Sequence, residues 1–281
     1  MKNCPVCDDA GSAEFGTKEG RKLRICEKCR HIRWEVFPTA DDLAAYYREQ
    51  YTLRHAQARI QDDARSYYSG HAAHLFQLAA RPAAQVVIID YGCSFPVFLE
   101  EAKKLGVRRA IGVDYSTQIP RDTGVEIVSP GDLKDIPQGI VDIVRFSHTL
   151  EHTVDPVCTL KQMTGMLRKG GLVYITQPNF PVMAIAGNEV ELKDSVYPEH
   201  LHFFSPLSLA ALAVRCGLRI HQIFSHQNEQ GVLEKYEGRL DLDYSRKNMA
   251  PYAQHGDPAY AMGSYPQYAG ENSVLYAYKD I

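Results

Sequence analysis

The chain has 281 residues but a single tryptophan, no surplus of positive charge and no long apolar run. No window approaches the ~20 apolar residues that a membrane-crossing helix needs. The first residues, MKNCPVCDDAGS, are polar and lack the apolar stretch of a secretory leader. A cytoplasmic location is expected, with no membrane partner. The formal net charge is −3, whereas a general nucleic-acid binder usually carries a basic excess, so nucleic acid is not the expected partner. The remaining composition, 45% hydrophobic and 23% charged, is that of an ordinary globular protein. The length suits one large α/β domain plus a small appendage.

What stands out instead is the placement of cysteine. Four of the seven fall in the first 29 residues, as Cys4-Pro-Val-Cys7 and Cys26-Glu-Lys-Cys29, while Cys93, Cys158 and Cys216 are scattered. Without a secretory signal, paired cysteines point to metal ligation rather than disulfides. Each C-x2-C knuckle turns its sulfurs to one side of a tight turn, and two knuckles complete a tetrahedral S4 site, the geometry zinc accepts most readily. Such a site has no open position, so a Zn²⁺ held there is expected to be structural, folding a segment too small for a core of its own. Glu14-Phe15 and Leu23 to Ile25 read as a hairpin around Gly16 and Gly20. Residues 1–34 hold eight Lys/Arg against five Asp/Glu, a surplus that four thiolates on one Zn²⁺ largely cancel.

The expected organisation is a zinc ribbon over 1–36, a helical connector over 37–84 and a main domain over 85–281. In the connector, Thr39 or Asp41 can cap a helix that gathers Tyr46, Tyr47 and Tyr51. A second helix is predicted over about 56–80. From Val86 the pattern alternates between apolar runs and amphipathic stretches. Strands are predicted at 86–90, 110–114, 126–128, 140–146, 172–176, 219–224 and 273–278. Helices are predicted at 97–105 and 150–167, the latter stopped by Gly170-Gly171. Alternation of this kind implies an α/β fold, a mostly parallel seven-stranded sheet wound with helices on both faces. In such sheets ligands bind beyond the carboxyl ends of the strands.

The residues at those ends are the informative ones. Asp90-Tyr-Gly92-Cys93-Ser94 closes the first strand in a tight turn where a small residue lets backbone approach a ligand. Asp114 ends the second strand, 24 residues after Asp90, where a carboxylate can accept from both hydroxyls of a ribose. Asp132-Leu133 follows the third strand, and His148, in Ser147-His-Thr-Leu-Glu-His152, follows the fourth.

Taken in order, IIDYGCS, IGVDYS, GDLKDIP, VDIVRFSHTLEHTVDP, LRKGGLVYITQPN and PEHLHFFSPLSLAALAVRCGL resemble a class I, Rossmann-like S-adenosylmethionine (SAM)-dependent methyltransferase, most strongly over 86–217. A preceding zinc ribbon with a YYREQY-like segment also occurs in a subgroup that includes sugar C-methyltransferases. The resemblance implies that Gly92, Cys93 and Ser94, next to Asp90, line the methionine part of SAM. It implies that Asp114, beside Tyr115, holds the ribose, that Asp132 meets the adenine amino group with Leu133 beside the ring, and that His148 sits near the adenine or the sulfonium. It further implies that Tyr47 and Tyr51 close over the cofactor. One departure is visible: Ser94 and Pro96 stand where the family pattern has glycines. Ser is small, and Pro96 can start the following helix.

Methyl transfer is a displacement, so alignment supplies most of the barrier reduction. A base is needed only when the acceptor must lose a proton. Candidates are His148, Glu151, His152, His200 and His202, with capping of the next helix as the alternative role for Glu151. Residues 228–270 are loop-like and tyrosine-rich, expected to form a lid, a substrate wall or a homodimer contact. The leading expectation is methylation of a small molecule, a sugar nucleotide or biosynthetic intermediate. The alternatives are an RNA methyltransferase whose ribbon grips RNA, and a SAM-binding protein without methyl transfer.

Overall fold

The computed structural model of the chain describes residues 3–47, 62–115, 124–179, 184–186, 189–191, 199–226 and 272–280. Tyr51, residues 56–61 of the predicted second helix and the 228–270 segment lie outside them. The chain forms two compact units: one drawn from Met1–Phe37, His148–Lys161 and Ile175–Tyr278, the other from Pro38–Ser147, Gln162–Tyr174 and Lys279–Ile281.

The N-terminal hairpin pairs β1 (Ser12–Lys18) with β2 (Arg21–Cys26). Its turn residues Glu19 and Gly20 both have positive φ, 53° and 73°, as a two-residue type I′ turn requires. The register slips at Glu14/Gly16. β3 (Ile32–Trp34) adds to β2, and β11 (His202–Phe203) adds to β3 through His202↔Arg33. With β9 (Ala184–Ala186) and β10 (Glu189–Glu191) the order is β11-β3-β2-β1-β10-β9. Phe15, Leu23, Ile25, Ile32, Trp34 and Phe203 form a buried cluster on which Phe37 packs. The N-terminal sheet thus has an apolar cluster that residue 203, far along the chain, completes. Burying such side chains contributes roughly 1.5–3 kcal/mol each.

The larger sheet has seven strands: β4 (Val87–Tyr91), β5 (Arg109–Val113), β6 (Glu126–Val128), β7 (Val141–Ser147), β8 (Leu167–Pro178), β12 (Leu218–His226) and β13 (Asn272–Lys279). Their order is β12-β13-β8-β7-β4-β5-β6. β4 pairs in parallel with both β5 and β7, and β5 with β6. The chain therefore runs outward from β4 on one side and resumes on the other, the arrangement that opens a ligand crevice at the strand ends. Ile88, Ile89, Ile111, Val113, Ile143, Val144 and Phe146 are buried, as strands covered on both faces demand. At the foot of β7 the buried Asp142 accepts from Arg81, Arg168 and the Val87 amide, tying β4 and β7 together.

Two helices of the second unit matter for the site. α1 (Ala40–Tyr46) is capped by Thr39, whose Oγ1 accepts from the Asp42 amide at 3.1 Å while Asp42 accepts from the Thr39 amide at 3.0 Å. α2 (Asp62–Leu78) packs on α3 (Val97–Lys104), where Arg65 donates to Glu100 and Glu101. The predicted helix over 150–167 is shorter. Residues Leu150–His152 form a 3₁₀ turn, and α4 runs from Pro156 to Met166. Proline fits the first helical position, and the residue before it disfavours helix. Asp155 caps α4, accepting from the Cys158 amide at 2.8 Å, so the helix cap is Asp155 and not Glu151. Gly170-Gly171 lies inside β8 rather than stopping the helix. α5 (Pro206–Arg215) opens on a Ser205/Ser208 capping box.

Candidate active site

Three groups of side chains assemble, and each belongs to a single unit. The first is the cysteine cluster. Cys4 Sγ lies 3.6 Å from Cys29 Sγ and Cys7 Sγ 3.5 Å from Cys26 Sγ, and all four sulfurs are within 4.8 Å of one another. The two knuckles share one plan. Asp8 donates its amide to the Cys4 carbonyl and Arg30 to that of Cys26, and both residues turn left-handed, at φ 63° and 59°. Tetrahedral ligands at a Zn–S distance of 2.3 Å stand about 3.8 Å apart, so the donor set fits zinc.

The second group lies at the carboxyl ends of β4 and β5. Gly92, at φ 74°, and Cys93 both donate their amides to the Val113 carbonyl, at 2.7 and 3.3 Å. Ser94 sits at φ 44° and donates its amide to Asp114 Oδ2 at 2.9 Å. The left-handed serine costs backbone energy of about 1–2 kcal/mol, and the carboxylate beyond β5 is what holds it. Cys93 is turned inward: a Cβ on Gly112 would meet its sulfur at 2.6 Å, so only glycine fits beneath it. Burial pushes its thiol well above the ordinary range. Cys93 thus offers a ligand its backbone, not its sulfur. Pro96 directly precedes α3, and its carbonyl accepts from the Glu100 amide at 2.9 Å, so the proline is accommodated at the helix start. Phe95 and Tyr115 are exposed. Asp132 sits in the 3₁₀ turn Pro130–Asp135, accepting from Ser129 Oγ at 2.7 Å, with Leu133 fully buried beside it. Tyr47, half-buried beyond α1, packs its ring edge-on to Tyr46 at 5.5 Å. A crevice end with left-handed backbone at 92 and 94 and a carboxylate at 114 is chemically suited to SAM, whose ribose diol needs such an acceptor.

Sequence reasoning placed Asp90 in this group but missed its partner. Asp90 is buried, and Arg145, opposite it in the β4–β7 register, donates from Nη1 to both carboxylate oxygens at 2.8 and 2.9 Å. Burial pushes the Asp90 carboxyl upward, and Arg145 pulls it back. The available signal was a lone arginine inside the apolar run of β7.

The third group surrounds Glu151. Its side chain is fully buried, and neither carboxylate oxygen makes a well-formed hydrogen bond among the described residues. Burial raises its pKa to about 8, against the pull of the neighbouring backbone at Glu151 and Thr149. His148 Nδ1 and His152 Nε2 each stand 3.8 Å from Glu151 Oε1. His152 Nδ1 is 2.9 Å from the Glu199 carbonyl. A carbonyl only accepts, so Nδ1 carries a proton, and Nε2 is the nitrogen turned toward Glu151. His200 lies ring to ring with His152 at 4.8 Å, and Trp34 Nε1 donates to its carbonyl at 2.7 Å. The ligand atoms of Glu151, His152 and His200 fall within 4.8 Å of one another. His148 is held at φ 51° by its amide bond to the Thr176 carbonyl at 2.8 Å, with nearly half its side chain exposed. His202 belongs elsewhere: it is buried, 2.9 Å from His31 Nε2, its pKa pushed down to about 4 by burial.

Comparison with known proteins agrees with this architecture. The model of the methyltransferase-domain family matches residues 53–223, more than half of the chain. The chain is 25% identical over 188 residues to the ubiquinone biosynthesis O-methyltransferase of Xylella fastidiosa (strain M23), covering 64% of this chain and 71% of that protein. Its fold is similar to that of a SAM-dependent methyltransferase from Archaeoglobus fulgidus, with TM-score 0.51, 19% identity and coverage of 82% and 100%. It is also similar to 1,6-didemethyltoxoflavin-N1-methyltransferase of Burkholderia thailandensis, solved with S-adenosylhomocysteine, with TM-score 0.55, 14% identity and coverage of 95% and 99%. No helix among the described residues is long and apolar enough to cross a membrane. The strand order, the loop after β4 and the family match together identify the chain as a member of the methyltransferase-domain family, a class I SAM-dependent methyltransferase.

Proposed function

We propose that the chain moves the methyl group of SAM to a small-molecule acceptor, a sugar nucleotide or biosynthetic intermediate, whose nucleophilic atom gives up a proton. The carrying observation is Glu151: a buried carboxyl without a well-formed hydrogen bond among the described residues, 3.8 Å from two imidazoles. A buried carboxyl of raised pKa, with no cationic lysine or arginine paired to it among the described residues, is suited to moving protons. His148, the exposed member, meets the acceptor. Glu151 behind it strengthens the basicity of the histidines once ionised, and His200 braces His152. On the cofactor side, Gly92 to Ser94 line the methionine part, Asp114 holds the ribose, and Asp132 with Leu133 faces the adenine. SAM supplies the electrophilic methyl; the protein aligns it and excludes water.

The four cysteines hold a structural Zn²⁺ in this reading. Their thiolates need a reducing compartment, which fits the cytoplasm. Elemental analysis of the purified protein is expected to give one zinc per chain, and Cys26→Ser is expected to lose it.

The test of function is transfer of radiolabel from methyl-labelled SAM to acceptors bearing hydroxyl, acidic C–H or amine groups, with structured RNA alongside. Transfer to a hydroxyl or C–H acid that persists at high salt supports the reading. Transfer confined to RNA and lost steeply with salt would overturn it, because phosphate contacts release counterions.

A further inference from the structure

Arg145 carries more hydrogen-bonding capacity than Asp90 consumes. A guanidinium has five N–H donors in a planar fork, and its strong mode is to use two nitrogens on one carboxylate. Here a single nitrogen, Nη1, holds both Asp90 oxygens. Nε is buried with no hydrogen-bond partner among the described residues. The plane is fixed by aromatic rings: the guanidinium carbon lies 4.3 Å from the Phe98 centroid and 5.9 Å from that of Tyr68.

His71 of α2 adds to the same surroundings. It packs against Phe98 at 5.6 Å and Tyr174 at 4.5 Å. Both ring nitrogens are buried without a hydrogen-bond partner among the described residues. Buried donors left unmade are costly, and two on different elements, both flanking Phe98, point to a ligand that completes them. Arg145 Nε can only donate, and a neutral His71 donates from one of its two nitrogens, so the group that meets both accepts. A cation would face the guanidinium and is disfavoured there, and the acceptor that matches a guanidinium's remaining donors most strongly is a carboxylate.

We propose that Arg145 is a cofactor-binding residue whose unused donors, with His71 beside them, receive the carboxylate at the amino-acid end of SAM. Asp90 immediately precedes the loop 92–94, so the inference rests on the reading that this loop lines the methionine part. Asp90 then serves to orient the guanidinium, and the fork is completed by the ligand.

The test is calorimetric titration of the full, zinc-loaded chain with S-adenosylhomocysteine and with its decarboxylated analogue, 5′-deoxy-5′-(3-aminopropylthio)adenosine. The wild type is expected to bind the carboxylate-bearing ligand at least about tenfold more tightly, the usual scale of a charge-assisted hydrogen bond. The paired variant Asp90→Asn/Arg145→Met, which leaves no lone buried charge, is expected to bind the two ligands within about threefold of each other. A purely structural role would weaken both ligands alike and leave their ratio unchanged. Equal binding by the wild type overturns the proposal, as does discrimination that survives in the paired variant. If the wild type binds neither ligand, the cofactor reading fails and takes the inference with it. Should the paired variant not fold, Arg145→Lys keeps a charge opposite Asp90 without the planar fork, and its discrimination is expected to fall below that of the wild type; an unchanged ratio overturns the proposal.

Discussion

Asp90 and Glu151 are both fully enclosed carboxyl groups near strand ends, yet the protein treats them oppositely. Asp90 faces a guanidinium and stays part of an ion pair. Glu151 faces two imidazoles instead, and burial raises its pKa to about 8. Burial raises both, so burial alone does not decide the outcome. The partner does. A fixed cation makes a carboxylate part of the scaffold, whereas titratable neighbours leave it free to exchange a proton in the working range. Each region also holds one left-handed non-glycine residue just past its strand, Ser94 at φ 44° and His148 at φ 51°, the kind of backbone strain that clusters at functional sites.

The sharpest break in this comparison comes from activity. Glu151→Gln, the uncharged isostere, removes the carboxylate that strengthens the histidines and is expected to slow methyl transfer by about tenfold or more, less than the 10²–10⁴-fold weight of the general base itself. Its SAM affinity should be unchanged; a rate equal to wild type would remove Glu151 from the chemistry. The wild-type rate should rise with pH with an apparent pKa near 8, belonging to the cluster rather than to one residue.

Stability separates the two carboxyls next. Arg145→Met alone strands a buried carboxylate and is expected to cost about 3–5 kcal/mol in urea denaturation, while Glu151→Gln at pH 7 should cost under about 1 kcal/mol because the native group is already neutral. Equal losses would show that both carboxyls are structural.

The pH dependence of folding gives a third contrast. The folded chain keeps the Glu151 proton to about pH 8, while the unfolded chain releases it near the ordinary value of 4.5. The folded state therefore binds more protons within that window, and its stability falls as pH rises through it, by a few kcal/mol at most. Urea midpoints from pH 5 to 8 should show this slope in the wild type and a flatter one in Glu151→Gln. The smallest expected effect is that of Ser94→Gly, which relieves the left-handed backbone. Thermal unfolding should register a gain of at most about 1 kcal/mol, and a loss would mean that the Ser94 side chain matters more than its φ.

Much of this was legible in the residues. The apolar runs placed six of the seven strands of the large sheet to within a residue or two, because strands buried on both faces leave little freedom in composition, while β8 begins five residues before its predicted start at Leu172. The C-x2-C spacing is enough to bring each pair of cysteines together, since each knuckle is a local turn, and the four sulfurs do cluster. Asp114 beyond β5 and the Glu151-His152 pair after β7 were found by their position at strand ends. The start of α4 was misjudged: apolar periodicity runs back to Leu150, but Asp155-Pro156 sets the boundary. Asp90 was placed in the cofactor loop without its counter-ion.

By itself, then, the sequence determined what local spacing and periodicity can carry: the order of the strands along the chain, the knuckles, and the residues delivered to each strand end. Tertiary structure alone decided how distant segments complete one another. Phe203 closes the apolar cluster of the N-terminal sheet, β11 joins β3, Arg145 meets Asp90 across a strand pair, and Glu151 is walled in with no lysine or arginine paired to it among the described residues. The physical reason is that the charge state of a buried group depends on what stands within a few ångströms, and those neighbours come from segments many residues away.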